Sequence, residues 1–319
     1  MTAINGSPHY ASAYDFRRAL EDRLKREAKS RGRPLEELRR EFVFQRFLAL
    51  IFAQTGSQWV LKGGASLLMR LVDARSSKGL DLLRLGEAHP NDAIAEIRQL
   101  TAPKDGDHLA FVVGDAVSYS RVNPVVEISV TAYIGAQYGS FPIDLATELH
   151  LLAKPELIIP RPVVEIPGLP EVRGVVVYPL TDQVADKVCA MYEVHGERQR
   201  PSSRFRDLFD LALIVSACEF DAGPVVQSLH AESERRRMQL PTKMTPPGPN
   251  WDAGYRAYAR KTRITADLHD LTGALEHVGG CLNPLLAGSR GSGRWLPTSG
   301  WVGGVPLPNG ALVPPAKRD

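Results

Sequence analysis

Two neighbouring stretches decide how this chain reads: Trp59-Val60-Leu61-Lys62-Gly63-Gly64-Ala65-Ser66-Leu67 and Arg75-Ser76-Ser77-Lys78-Gly79-Leu80-Asp81-Leu82-Leu83. In the first, a short apolar run enters two glycines and a helical pattern, Ala65–Leu71, leaves them. Glycines at such a bend let backbone amides come close to a phosphate, and the helix N-terminus adds a favourable dipole. Ser66 can offer a hydroxyl to the same phosphate. Tight strand-to-helix turns also use glycine for steric reasons alone, and no Gly-Lys-Ser/Thr follows at the spacing of a Walker loop. In the second stretch Leu80–Leu85 reads as a strand, on which residues two apart share a face. Two carboxylates so placed can share divalent metals that clamp a triphosphate and activate a hydroxyl. Asp81 is an acid, but Gly79 leaves the partner position empty. A third carboxylate would come from a neighbouring strand, with Asp144 in Pro142-Ile143-Asp144-Leu145 as first candidate and Glu127 in reserve.

Outward from this centre, Ala11 to about Lys29 reads as a helix ended by Gly32, and Pro34 opens a second helix running to about Gln54. Leu35, Leu38, Phe42, Phe47 and Ile51 form its apolar face. Arg39, Arg40 and Arg46 lie opposite, either paired with Glu36, Glu37 and Glu41 or turned toward phosphates. Asn91–Leu100 is a further helix. Val125–Ile134 alternates as a half-buried strand, Phe141–Leu145 is a second, and the Gly-containing 135–140 segment suits a hairpin. Pro155–Pro179 reads as loop and short strand. From Thr181 the pattern is helical: to about His195, then Arg204–Ala217, Pro224–Met238 and Thr265–His277. The organisation is an α/β portion over 1–180, a helical portion over 181–285, and a Gly/Pro-rich tail over 286–319 expected to be disordered because it lacks apolar periodicity.

The net charge of +3 neither demands nor excludes a nucleic-acid partner. Cys189, Cys218 and Cys281 are odd in number and far apart, which fits neither a zinc site nor a disulfide framework and suits a reducing compartment. With no charged start followed by an apolar run near Met1, and no stretch long enough to span a bilayer, a cytoplasmic protein is expected.

Two helical segments add candidate chemistry. Leu180-Thr181-Asp182-Gln183-Val184-Ala185-Asp186-Lys187-Val188-Cys189-Ala190 carries Lys187, and Phe205-Arg206-Asp207-Leu208-Phe209-Asp210-Leu211 puts Asp207 and Asp210 on one helix side. Taken singly, such residues are usually solvated or salt-bridged. In order along the chain the pattern is Gly63-Gly64-x-x-Leu67, Arg75-x-Ser77-x-Gly79-x-Asp81-Leu82, Ala185-Asp186-Lys187-x-x-Ala190 and Arg204-x-x-Asp207-x-x-Asp210-Leu211. Over roughly residues 40–285 this resembles the AbiEii-type nucleotidyltransferases, the toxins of type IV toxin–antitoxin systems, a group that includes the mycobacterial MenT toxins.

The resemblance implies an α/β (α+β) fold: a polymerase-β-like nucleotidyltransferase core with a small mixed sheet, plus a mainly helical C-terminal lobe, bilobed overall. It implies that Gly63, Gly64 and Ser66 form the phosphate-facing turn. Asp81 matches the second acid of the metal pair and Asp144 the third. Lys187 matches the helix lysine near the nucleotide phosphates. Asp210, with Asp207 beside it, matches the helical aspartate, as base or orienting group, and Lys78 joins the nucleotide side. The implied reaction moves a nucleoside monophosphate from an NTP, with Mg2+, to a hydroxyl such as a tRNA 3′ end. A cognate antitoxin is the implied partner. RNA would follow a basic rim of Arg39, Arg40, Arg75, Lys78, Arg204, Arg206 and Arg235–Arg237. Gly79 departs from the family, which has aspartate there bridging both metals. Losing such a ligand should cost about a thousandfold in rate, and Gly79→Asp is then expected to restore it. The alternative is a non-catalytic module that holds RNA or antitoxin on the same fold; transfer to a protein hydroxyl is a third reading.

Overall fold

The computed structural model describes residues 10–71, 74–104, 106–119, 125–148, 151–170, 172–196, 199–262 and 264–304. The chain divides into two compact units. Unit 1 holds residues up to 72, 76–150 and 155–178; unit 2 holds 73–75, 151–154 and everything from Pro179 onward.

Unit 1 begins with α1 (Ala13–Arg31) and α2 (Leu35–Ile51), followed by β1 (Trp59–Lys62), α3 (Gly63–Arg70), β2 (Leu80–Arg84) and α4 (Pro90–Leu100). It continues with β3 (Ala110–Tyr119), β4 (Val125–Ile134), β5 (Ala136–Ala146), β6 (Glu156–Ile158) and β7 (Val175–Val177). The seven strands form one mixed sheet in the order β3-β4-β5-β2-β1-β7-β6. The β2–β5 and β1–β7 pairs are parallel and the others antiparallel. The alternation of β4 does what it must: Val126, Ile128, Val130, Ala132 and Ile134 are buried, as are Phe141, Ile143 and Leu145 on β5. Edge-to-face contacts of Phe47 with Phe111 and Phe141, and of Phe44 with Phe141, lock α2 onto that face. The opposite face of β4 and β5 is polar and carries Glu127 and Asp144.

α1 presents Phe16, Leu20, Leu24 and Ala28, four apart and all buried. Its Ser12 cap accepts from the Asp15 amide, and Gly32 at φ 54° closes it. The α2 arginines are mostly paired: Arg39 with Glu21 and Glu36, while Glu37 and Glu41 meet Arg33 instead.

Unit 2 contains α5 (Leu180–Tyr192), the two-residue strands β8 (Val194–His195) and β9 (Arg200–Pro201), α6 (Phe205–Ala217), β10 (Phe220–Asp221) and α7 (Ala222–Arg236). α8 (Trp251–Ala259), a 3-10 turn over Ala266–His269, α9 (Leu271–Leu286), β11 (Arg294–Leu296) and β12 (Gly300–Val302) complete it. Its helical core contains Leu208, Phe209, Leu211, Ile214, Val278 and Leu282, all essentially inaccessible.

Several elements differ from the sequence reading. β3 was not foreseen, because Gly114 and Asp115 interrupt its alternation where the register with β4 shifts. The hairpin is tighter than a 135–140 loop: Gly135 alone, at φ 68°, makes the turn. α8 hides behind a Pro/Gly-rich approach and is fixed by tertiary contact, with Trp251 Nε1 donating to the Ser202 carbonyl and the ring packed on Phe205. The expected disordered tail is corrected over 287–304. β11 pairs with β10 and β12, Trp295 is buried, and the Trp295 and Trp301 indoles donate to the Val215 and Cys281 carbonyls. Isolated tryptophans without periodicity supply enough burial once a helical surface is present to receive them. Residues 305–319 lie outside the described residues. Among the described residues no helix is long and apolar enough to cross a membrane.

Candidate active site

In unit 1, β1 runs from buried Val60 and Leu61 into Gly63, whose φ of 63° favours glycine, and α3 starts there. A second constraint acts at the same position. A Cβ on Gly63 would stand 2.0 Å from Asp81 Oδ2, so the carboxylate sits directly against the bend. Lys62 and Asp81 are cross-strand partners. Ser66 is buried, and its hydroxyl donates to the Gly63 carbonyl at 2.8 Å. It therefore braces the turn, where the sequence reading had offered it to a phosphate.

Asp81 is also the register partner of Asp144, and Asp144 that of Glu127. Partners in register point to one face, so β2, β5 and β4 carry a row of three acids. Adjacent strands lie about 4.8 Å apart, so Asp81 and Asp144 can close on one cation, whereas Glu127 stands about 10 Å from Asp81. Accordingly, among the described residues no group of three or more His, Cys, Asp or Glu side chains is arranged to hold a metal ion. The chemistry of the Asp81–Asp144 pair suits a divalent ion such as magnesium, since such ions take one or two protein carboxylates and complete their shell from phosphate and water. Asp144 is open to solvent. Partial desolvation by the sheet, and then the Glu127 charge, still raise its carboxyl above the usual range.

Gly79 lies at the entrance to β2 with no left-handed torsion. Ser77 Oγ donates to its carbonyl at 2.7 Å, and a Cβ there would be 2.6 Å from the Pro142 carbonyl oxygen. Lys78 beside it is exposed. An acid at 79 therefore meets backbone, which removes the simple expectation that Gly79→Asp restores activity.

In unit 2, the α5 and α6 residues form one buried ionic network. Asp210, wholly inaccessible, accepts from Arg75 Nε and Nη2 at 2.8 and 2.9 Å and from Lys187 Nζ at 2.6 Å. Asp207 accepts from Lys187 at 3.3 Å and Arg204 at 2.5 Å. Burial would lower the Lys187 pKa, but the Asp210 and Asp207 carboxylates outweigh it and the ammonium ends above its ordinary value. Burial would raise Asp207, yet Lys187 and Arg204 bring it below the usual range. Both Asp210 oxygens are engaged by cations, and the carboxylate holds Lys187 and Arg75 in place. Three cations face two carboxylates, leaving surplus positive charge.

The sequence places Arg75 on an RNA rim, whereas in the structure its guanidinium is bonded to the buried Asp210. The signal was present in the sequence, since an aspartate on the apolar side of α6 demands a cation. Arg236 likewise leaves the rim, held by Asp186, Glu193 and Glu232, and Arg235 pairs with Glu232. Lys78, Arg206 and Arg237 remain exposed.

The family model described as "Nucleotidyl transferase AbiEii toxin, Type IV TA system" matches residues 46–277. Comparison with curated proteins gives no significant match. Among solved structures, the chain is similar to MenT4, a nucleotidyltransferase toxin from Mycobacterium tuberculosis, at 19% identity and a TM-score of 0.49, over 80% of this chain and 93% of that one. It is also similar to JHP933 from Helicobacter pylori, at 14% identity and a TM-score of 0.44, over 76% and 88% respectively.

Proposed function

Because this chain belongs to the AbiEii family of nucleotidyltransferase toxins of type IV toxin–antitoxin systems, we propose that it transfers a nucleoside monophosphate from an NTP to an RNA hydroxyl, a tRNA 3′ end being the favoured acceptor. The observation that carries this is the in-register pairing of Asp81 and Asp144 beside the Gly63–Gly64 bend. Asp81 and Asp144 would hold Mg2+, which neutralises phosphate charge and polarises the reacting oxygens when bound. The acceptor oxygen attacks the α-phosphorus, the bond to the β-phosphate oxygen breaks, and pyrophosphate leaves. The hydroxyl proton passes to water. In unit 2, Asp207 and Asp210 hold Arg75, Lys187 and Arg204 in a buried ion network that fixes α5 against α6. A cognate antitoxin is the regulatory partner, and the cytoplasm, where NTPs and tRNA meet, is the site of action.

Incubating the protein with Mg2+, each α-labelled NTP and total tRNA tests the reading. Label should enter RNA and disappear in Asp81→Asn. Gly79 favours a second reading, a module that retains RNA or antitoxin without modifying it. Salt-sensitive RNA retention without label, equal in Asp81→Asn, would establish that module instead.

A further inference from the structure

Gly79 and Gly63 are both required, but for different reasons. Gly63 has a left-handed torsion and the Asp81 carboxylate against it, whereas Gly79 has ordinary backbone torsions, so only close packing calls for glycine there. Added as a side chain, its Cβ would approach the Pro142 carbonyl oxygen at 2.6 Å and Pro142 Cγ at 2.9 Å. Relief by side-chain motion is not available, because a carbonyl and a ring are the obstacles and β5 is held in register with β2 on one side and β4 on the other. The opposite side is fastened as well: Ser77 donates to the Gly79 carbonyl at 2.7 Å, and Arg40 reaches the Ser77 carbonyl at 3.4 Å.

We infer that Pro142 closes the position beside Asp81 to any side chain, so that among the described residues Asp81 and Asp144 are the two neighbouring carboxylates beside the glycine bend and the chain takes one divalent ion with its nucleotide. Two carboxylates with phosphate and water complete the shell of one such ion, and a second ion about 3.5–4 Å away would call for a further carboxylate, which position 79, on the face of Asp81, cannot supply. This rests on the metal-dependent transfer reading and sharpens it. Pro142 becomes a positioning residue that sets the number of ions.

Electron paramagnetic resonance of Mn2+ bound with a non-hydrolysable NTP analogue reads the ion count without turnover. The expected result is one Mn2+ per complex with no spin-coupled pair, lost at least tenfold in affinity in Asp81→Asn. Gly79→Asp should also show one uncoupled ion and melt several degrees below the parent. Gly79→Ala, which adds the Cβ without charge, should melt lower too. A spin-coupled pair in the parent, or in a Gly79→Asp protein that melts like the parent, overturns the inference. So does an undiminished melting temperature in Gly79→Ala, which needs no metal and separates failure of the packing from failure of the transfer reading. Absence of any bound Mn2+ in the parent defeats that reading, and the single-ion claim with it.

Discussion

The acids of the two units are the same residue types in opposite surroundings. On the sheet of unit 1, Asp144 and Glu127 face solvent and Asp81 is half-buried against a glycine bend. In unit 2, Asp207 and Asp210 are enclosed, and Arg75, Lys187 and Arg204 neutralise them from within. The difference teaches how to separate acids set on an open sheet face, where an external cation can reach them, from acids enclosed together with their cations. The first costs folding little and serves binding. The second is part of the fold, because a buried charge must be paired.

The largest effect should come from breaking the second kind. Lys187→Met removes the buried cation that bridges Asp207 and Asp210, leaving Asp207 with the half-exposed Arg204 and Asp210 with Arg75, and should cost about 3–5 kcal/mol of stability, read by urea unfolding. The comparison is sharpened by Asp81→Asn, which should abolish label transfer while shifting the same unfolding curve by no more than about 0.5 kcal/mol. If both variants unfold alike, the contrast is wrong.

Proton linkage separates the units again. Asp207 has a lowered folded pKa, so its stabilisation is present above the ordinary carboxylate value of about 3.9 and is lost as pH falls below it. Asp144 runs the other way. Its folded pKa is raised, so the protonated form persists to higher pH, and cation binding, which needs the carboxylate, should weaken as pH falls while still above about 3.9. Mn2+ affinity measured against pH should show this midpoint, and Glu127→Gln should move it downward by removing the neighbouring charge. An unchanged midpoint would remove Glu127 from the account, leaving desolvation alone. A modest effect is expected at Ser66→Ala, where the neutral hydrogen bond to the Gly63 carbonyl is worth about 1 kcal/mol, again by urea unfolding.

What could be read from residues followed local rules. The period-two pattern of Val126–Ile134 gave a strand with Glu127 on its polar face, and Pro142-Ile143-Asp144-Leu145 gave the strand bearing the next acid. What escaped depended on partners far along the chain. β3 lost its pattern at Gly114, where only pairing with β4 defines it, and α8 exists because Trp251 finds Ser202 and Phe205. Arg75 looked like a surface cation because nothing nearby in sequence announces Asp210, 135 positions away.

The amino-acid order alone therefore determined that an apolar strand turns at two glycines, that Asp81 has no acidic companion two residues back, and that aspartates and a lysine lie on later helices. Periodicity and backbone torsion are short-range, and a few residues suffice to express them. Tertiary structure decided the rest: that Asp144 stands beside Asp81, that Lys187 and Asp210 are sealed together, and that Pro142 fills the space at Gly79. Those are matters of strand register and exclusion of water, which arise only when distant segments compete for the same volume.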